Sequence, residues 1–310
     1  MDGAAEKTPL LVIAGPTAVG KSELSLRVAE ILGGEIISAD SAAVYRGLNI
    51  GTAKVSAEDR ARVRHHGIDV VDPWDNFSVA DFQRLAKSAI EDIVARGHLP
   101  MLVGGTGLWI RAVVKDYALP EEAAPSPWRQ RLAALGEQYG YEALRRQLRV
   151  VDPASYAAIQ PNDHRRLIRA LEVFYTTHRR LPRTAAADPP YRVRYFVLTR
   201  SIQELHRRIE ARVASMLRLG LVEEVKQLLA AGVPPRAQSL GGIGYRETVD
   251  WYYGLLTDSE RDRLIVRHTQ QFAKRQLTWF RAEREARWLD LSSWPLEQAV
   301  QKIAQSVHDG

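Results

Sequence analysis

The stretch LLVIAGPTAVGKSELSLRVAEIL, residues 10–32, decides the fold. Its first five residues are an apolar run of strand length, and the run breaks at a turn holding Gly15, Pro16 and Gly20. From Lys21 onward, Leu24, Val28 and Ile31/Leu32 recur at helical spacing. The joint between them, Gly15, Pro16, Thr17, Ala18, Val19, Gly20, Lys21 and Ser22, matches G-x-x-x-x-G-K-[ST]. Strand, Gly-rich loop and helix in that order let backbone N–H groups close around a phosphate at the positive end of a helix. Lys21 adds a point charge, and the Ser22 hydroxyl can take Mg²⁺ as a metal ligand. These residues predict a P-loop site for a diphosphate or triphosphate and leave the reaction open.

Working outward, residues 35–38 (EIIS) and 99–103 (LPMLV) read as buried strands, and 68–71 as a weaker one. Residues 80–96 read as a helix with Phe82, Leu85, Ala89 and Ile93 on one side. Strands alternating with helices predict an α/β fold, a P-loop NTPase-like parallel sheet flanked by helices. Near residue 119 the character changes. Pro120, Pro125 and Pro127 lead into three helical stretches, 128–150, 152–160 and 163–177, and a strand, RVRYFVL, returns at 192–198. The reading is a core of residues 1–118 and 191–310 interrupted by a mostly helical insertion, 119–190. The remainder reads as helices at 202–219, 221–231 and 259–287.

A chain of 310 residues can bury a sizeable core in one large or two modest domains. With no cysteine, disulfides, thiolate zinc sites and cysteine nucleophiles are excluded. No apolar run approaches the ~20 residues that span a bilayer. The N-terminus lacks a basic signal-peptide region, so no membrane partner is expected and the cytoplasm is the expected compartment. A net charge of +6 suits a polyanionic partner without naming one.

A P-loop enzyme that splits ATP carries a Mg²⁺-holding acid at the end of an apolar strand. Asp40 and Asp72 both fit loosely. Asp40 is the better placed, because ligands of open α/β sheets bind at the C-terminal edge. The plain alternative for Asp40 is a turn residue beside Ser38 and Ser41. A second Gly-rich strand end, VGGTGL at 103–108, opens onto the same edge and offers the Thr106 hydroxyl. The adjacent His65 and His66 have no further ligands and read as structural.

Beyond the loop, the order of motifs resembles the tRNA dimethylallyltransferases (tRNA isopentenyltransferases). The likeness rests on AGPTAVGKS, ISADSAAVYRGLNIGTAK (37–54), HHGIDVVDP (65–73), LVGGTGLW (102–109), IQPNDHRRLIRALEV (159–173), MLRLGLVEEV (216–225), IGYRE (243–247) and AKRQLTWFR (273–281). The resemblance implies transfer of a dimethylallyl group from dimethylallyl diphosphate to the exocyclic amine of the adenosine just 3′ of the anticodon. It implies Mg²⁺ as cofactor, an insertion that grips the anticodon stem-loop of tRNA, and a monomer. By similarity, Arg212 reaches the diphosphate, Asp40 is the general base and Thr106 lies near the reacting adenosine. Residues implied to meet tRNA are Asp40, Ser41, Ala42, Ala43, Arg165, Arg166, Arg169, Gly244, Tyr245, Arg246, Lys274, Arg275, Gln276, Trp279 and Arg281. Arg165 stands where the family usually has glutamine, and Ala43 replaces a frequent polar residue.

The residues agree with such a partner. Arg263, Arg267, Lys274 and Arg281 fall within about 40° of one helical face, and Ile265, Phe272 and Trp279 lie opposite, predicted to face the core. A basic stripe of this kind also suits a solvated surface. Two other enzymes fit the loop: a small-molecule or nucleotide kinase, and an isopentenyltransferase acting on free adenine nucleotides. An RNA-binding protein with a vestigial P-loop is the non-enzymatic alternative. The kinase leaves the basic helix and the Arg-rich insertion without a purpose.

Overall fold

In the computed structural model, residues 7–119, 127–178, 180 and 188–308 are described. The elements are, in chain order, β1 (Thr8–Ala14), α1 (Lys21–Leu32), β2 (Gly34–Ala39), α2 (Ala57–Arg62), β3 (His65–His66), α3 (Val79–Ala95), β4 (Leu99–Gly104) and α4 (Gly107–Val114). Then follow α5 (Pro127–Tyr139), α6 (Tyr141–Val151), α7 (Pro153–Ala158), α8 (His164–Thr177), β5 (Tyr191–Thr199), α9 (Ile202–Arg218) and α10 (Leu221–Ala230). The chain ends with α11 (Tyr245–Tyr252), α12 (Asp258–Phe280), β6 (Arg287–Asp290) and α13 (Leu296–His308).

Two compact units share the chain: Met1–Asp116 with Asp188–Gly310, and Tyr117–Ala187 between them. The first carries a sheet, parallel at every pairing, in the order β3-β2-β4-β1-β5-β6. Parallel strands covered on both faces need continuous apolar runs. Leu10 to Ala14 supply one, and Met101, Leu102, Tyr195, Phe196, Val197 and Leu198 are buried beside it. β5 pairs along the whole of β1, Thr8 opposite Tyr191 and Ala14 opposite Val197, so the strand after the insertion completes the sheet begun before it. α3 starts at a reciprocal capping box between Ser78 and Asp81, which satisfies two of its orphan N–H groups.

The second unit has its own core, in which Leu132, Leu144, Leu148, Leu167 and Leu171 pack together. Glu172 is buried there and ion-paired with both Arg129 and Arg169 at 2.9 Å. Trp128 stacks on Tyr175. This unit lies a few residues from the expected 119–190, and of the linker prolines Pro120 and Pro125 lie outside the described residues.

Four expectations need correction. The single helical stretch at 128–150 is two helices, α5 and α6, parted at Gly140, whose φ of 80° a helix cannot take. The strand at 68–71 is instead His65–His66, with a single bridge from Val71 to Tyr45. Asp69 explains the break. Its φ is 56°, outside the extended region, and Lys54 and Arg60 hold its carboxylate at 2.6 and 3.0 Å. The last long helix stops at Phe280 rather than 287, and Arg287–Asp290 adds a sheet edge beside β5. A four-residue strand carries too little alternation to be read from sequence. Finally, Phe272 is 36% exposed, because the buried stripe of α12 runs through Arg261, Ile265, Ala273, Gln276 and Phe280 and leaves it at the margin.

Candidate active site

The phosphate loop hangs from the C-terminal end of β1, and its geometry follows from where its polar groups point. For its N–H groups to face a ligand, its carbonyls must face away and find other partners. Two arginines supply them. Arg208 donates from Nε to the Ala18 carbonyl at 2.7 Å, and Arg200 from Nε to the Val19 carbonyl at 2.8 Å. Ala18 itself sits at φ 62°, a left-handed conformation uncommon for alanine, which these bonds help to hold. Lys21 lies within the loop, with Nζ donating to the carbonyls of Gly15 and Pro16 at 3.0 and 2.8 Å.

Beside the loop is a cavity of about 510 Å³ lined by Gly20, Lys21, Ser22, Arg208 and Arg212, among others. Burial draws the Lys21 ammonium down to about 7; the Asp40 carboxylate opposes this and Arg212 reinforces it. Arg212 is held below its ordinary range by burial, again against the pull of Asp40. The sequence-predicted Lys21, Arg212 and Asp40, from three separate elements, are therefore one electrostatic cluster. Two cations crowded in a poorly solvated space are a binding site for a compact polyanion.

Asp40 ends β2, and its Oδ1 accepts from the backbone N–H groups of Ala42 and Ala43 at 2.9 and 3.4 Å. The turn geometry foreseen as the plain alternative is present, and it fixes a carboxylate with Oδ2 as the remaining acceptor. Thr106 joins the neighbouring strand end to it. Its N–H donates to the Ala39 carbonyl at 3.1 Å, and its Oγ1 accepts from the Ser41 N–H at 3.2 Å. The glycines around Thr106 are there for close approach: a Cβ on Gly105 would lie 2.3 Å from Gln276 Nε2, and one on Gly107 2.2 Å from the Trp279 ring.

Gln276 is the clamp behind this arrangement. Its Oε1 accepts from the Thr17 N–H and its Nε2 donates to the Gly105 carbonyl, both at 2.9 Å. One buried amide thus ties α12 to the phosphate loop and to the Thr106 loop. Trp279 packs on Gly107 and has the Arg111 guanidinium 4.5 Å over its ring.

The residues associated with RNA divide by exposure. Ser41, Arg246, Lys274, Arg275 and Arg281 are exposed, as are Arg263 and Arg267 of the basic stripe. In the second unit Arg165 and Arg166 are exposed, whereas Arg169 is engaged with Glu172. Ala43, Gly244, Tyr245 and Gln276 are buried, so the structure gives them a supporting place rather than a solvent-facing one. His65 and His66 are taken up locally, His66 against Glu35 at 2.7 Å and His65 against the Val63 carbonyl at 2.7 Å.

Arg200, Arg208 and Glu224 were not singled out in the sequence. For Arg208 a signal existed: it precedes Arg212 by four residues on α9 and so shares its face. Among the described residues no cluster of three acidic or histidine side chains could hold a metal alone. Ser22, exposed at the cavity, supplies one oxygen, which fits Mg²⁺ completed by phosphate oxygens and water.

A P-loop cradle with two half-buried cations and an oriented carboxylate at the same sheet edge defines an enzyme that handles a polyphosphate ester. The particular family follows from comparison: the chain belongs to the IPP transferase family, whose model matches residues 43–283. It is 49% identical over 286 residues to the tRNA dimethylallyltransferase of Desulforudis audaxviator (strain MP104C), covering 91% of this chain and 92% of that one. The tRNA dimethylallyltransferase of Symbiobacterium thermophilum is 48% identical over 289 residues, with 92% and 90% covered. Among solved structures, the tRNA isopentenylpyrophosphate transferase of Bacillus halodurans superposes with a TM-score of 0.74 at 41% identity, covering 98% of this chain and 96% of that one. A eukaryotic dimethylallyltransferase, described as acting on tRNA, superposes with a TM-score of 0.78 at 26% identity, covering 97% and 79%.

Proposed function

We propose that this chain is a tRNA dimethylallyltransferase that joins the dimethylallyl group of dimethylallyl diphosphate to the exocyclic amine of the adenosine 3′-adjacent to the anticodon. The observation that carries the reading is the placement of Asp40 beside Lys21 and Arg212: a proton acceptor next to an anion cradle at one sheet edge. In the reaction the amine nitrogen attacks C1 of the allyl group, the C1–O bond breaks, and its electron pair leaves on diphosphate. The amine proton passes to Asp40 Oδ2, the oxygen not taken up by the turn.

Each chain residue has a task in that step. The loop N–H groups, Lys21 and Arg212 stabilise the charge that builds on the departing diphosphate. Arg208 and Arg200 keep the loop carbonyls turned outward, so the cradle is formed before the ligand arrives. Bound at Ser22, Mg²⁺ supplies Lewis-acid neutralisation of the diphosphate oxygens. Thr106, tied to Ser41, fixes the wall beside Asp40 where the adenine edge must lie. The target base is stacked in the anticodon loop, so it must leave the stack to reach this edge; the exposed arginines of α8 and, separately, the basic face of α12 supply positive charge of the kind an RNA backbone needs.

Among the described residues no helix is long and apolar enough to cross a membrane. The reading extends to a cytoplasmic monomer. The test is incubation of the purified protein with dimethylallyl diphosphate, Mg²⁺ and unmodified tRNA, followed by mass analysis of the anticodon loop. A gain of one dimethylallyl group is expected. Transfer of a γ-phosphoryl from ATP to a metabolite, with tRNA unchanged, would replace this reading by the kinase one.

A further inference from the structure

Glu224 is a carboxylate only 8% exposed that no step of the proposed reaction uses, and its partners are unusual. It stands on α10 and accepts from three consecutive backbone N–H groups: Asn49 at 2.9 Å, Ile50 at 2.8 Å and Gly51 at 3.3 Å. A fourth donor, the Tyr245 hydroxyl, reaches it at 2.6 Å. Among the described residues no lysine or arginine pairs with it, so peptide dipoles and one phenol carry the whole task of stabilising its charge. A buried carboxylate satisfied in this way fixes the orientation of the peptides that serve it.

One residue further along, the Thr52 carbonyl accepts from Arg212 Nη2 at 3.1 Å. The same loop is closed from the other side by Lys54, whose Nζ donates to the Tyr45 carbonyl and Asn49 Oδ1 and pairs with Asp69. Tyr245 also packs its ring on Gly51, where a Cβ would lie 2.5 Å from the ring carbons. The route from Glu224 to the diphosphate cavity is thus short and continuous: carboxylate, N–H groups of 49–51, carbonyl of 52, guanidinium of Arg212.

We infer that Glu224 is a positioning residue for diphosphate binding, holding the 49–52 loop so that the Thr52 carbonyl aims Arg212 at the phosphate cradle. Tyr245 is its accessory. The inference rests on the reading of Arg212 as a diphosphate ligand. It assigns to the buried Tyr245 a task toward the diphosphate rather than toward RNA.

The test uses inorganic diphosphate with Mg²⁺, titrated by calorimetry into wild type, Glu224→Gln, Tyr245→Phe, Arg212→Ala and the Arg212→Ala/Glu224→Gln double variant. Binding of unmodified tRNA is measured in parallel by fluorescence anisotropy. Glu224→Gln puts an amide N–H₂ against backbone donors and should weaken diphosphate about tenfold while leaving tRNA within about twofold. Tyr245→Phe removes the phenol oxygen that meets Glu224 and the Gly51 and Thr52 backbone but leaves the Glu224 bonds to residues 49–51 in place, so it keeps the question open to test if Glu224→Gln folds poorly; it should cost diphosphate about threefold. In the Arg212→Ala background Glu224→Gln should add nothing.

Parallel loss of diphosphate and tRNA in either single variant, no loss in Tyr245→Phe, or full additivity in the double variant would overturn the inference and leave Glu224 a purely structural cap. If Arg212→Ala binds diphosphate like wild type, the assignment of Arg212 fails and takes the inference with it. Because the probe is inorganic diphosphate, none of these outcomes depends on which group is transferred.

Discussion

Lys21 offers a test in which the sign and size of the effect both come from the structure. Burial, with Arg212 adding to it and Asp40 opposing, brings its ammonium to about 7 from an ordinary value of 10.5. At pH 8 only about one tenth of the free enzyme then carries the proton on Lys21. A diphosphate beside Nζ raises that affinity for protons, so binding at pH 8 should take up close to ~0.9 proton at this residue. Diphosphate affinity should correspondingly fall by up to about tenfold per pH unit above 7. The assay is calorimetry of Mg²⁺–diphosphate binding at pH 8 in two buffers of different ionisation enthalpy. Lys21→Ala run alongside subtracts the protons that the ligand itself binds. Stability moves the other way. Because the folded value is the lower one, the burial penalty on the charged lysine is fully present below pH 7 and fades as pH rises from 7 toward 10.5. Lys21→Met should therefore raise the melting temperature of the ligand-free protein most at pH 6 to 7, while weakening diphosphate binding. Identical proton uptake in wild type and Lys21→Ala would refute the reasoning, since the cavity cations would then not be coupled to the anion.

Asp40→Asn keeps the turn acceptor but removes the base, and should lower turnover by about 10²–10⁴-fold with tRNA binding unchanged, measured by single-turnover product formation. Retained turnover would remove Asp40 from the mechanism. Charge reversal at Arg267 and Lys274, both exposed on one face of α12, should weaken tRNA binding about tenfold and flatten its salt dependence. An unchanged anisotropy titration would make that face merely solvated. Gly105→Ala puts a Cβ 2.3 Å from Gln276 Nε2, forcing a buried amide off Thr17 and Gly105. A loss of ~1–3 kcal/mol in denaturant unfolding should accompany a fall in kcat, because both loops lose their clamp.

How much of this was legible in the sequence depends on the range of the interaction involved. The phosphate loop, α1, β2, β4 and the return of the sheet at β5 follow from local periodicity and turn chemistry, and they stand where the residues put them. The Asp40 turn was readable too, since an aspartate two residues before an N–H is a local motif. What failed was decided at a distance. Residues 68–71 carry strand-forming valines, yet Lys54 and Arg60 hold Asp69 in a left-handed turn. Phe272 keeps the seven-residue spacing of a core residue, but the buried stripe of α12 runs through Gln276 and Ala273 instead. Gln276 and Tyr245 lie in motifs that point to RNA by resemblance. Their burial shows up only when the 105, 17 and 49–51 loops are assembled around them, pairings 21 to 259 residues apart in hydrogen-bonded partners.

The same loop serves phosphoryl transfer in other proteins, so the choice of reaction must lie in what surrounds it. A phosphoryl-transfer site attacks the terminal phosphorus and needs its nucleophile on the cavity side of the phosphates. Here the one oriented carboxylate of the cluster comes from β2, on the sheet edge between the phosphate loop and the Thr106 loop, while Arg208 and Arg212 of α9 stand at the cavity. Two cations with a base beside them suit an ester whose phosphates are the leaving group and whose carbon end meets a nucleophile. Burying Lys21 and Arg212 is costly in the free protein: burial lowers the proton affinity of both, and Arg212 adds to the effect at Lys21. The arrangement persists because the Thr52 carbonyl holds Arg212, the Gly15 and Pro16 carbonyls hold Lys21, and the Ala42 and Ala43 N–H groups hold Asp40, all by hydrogen bonds that do not involve the ligand. Electrostatic stress kept in this way is eased when the diphosphate binds and eased further as the breaking C1–O bond adds negative charge to it, and only that further part can accelerate the transfer.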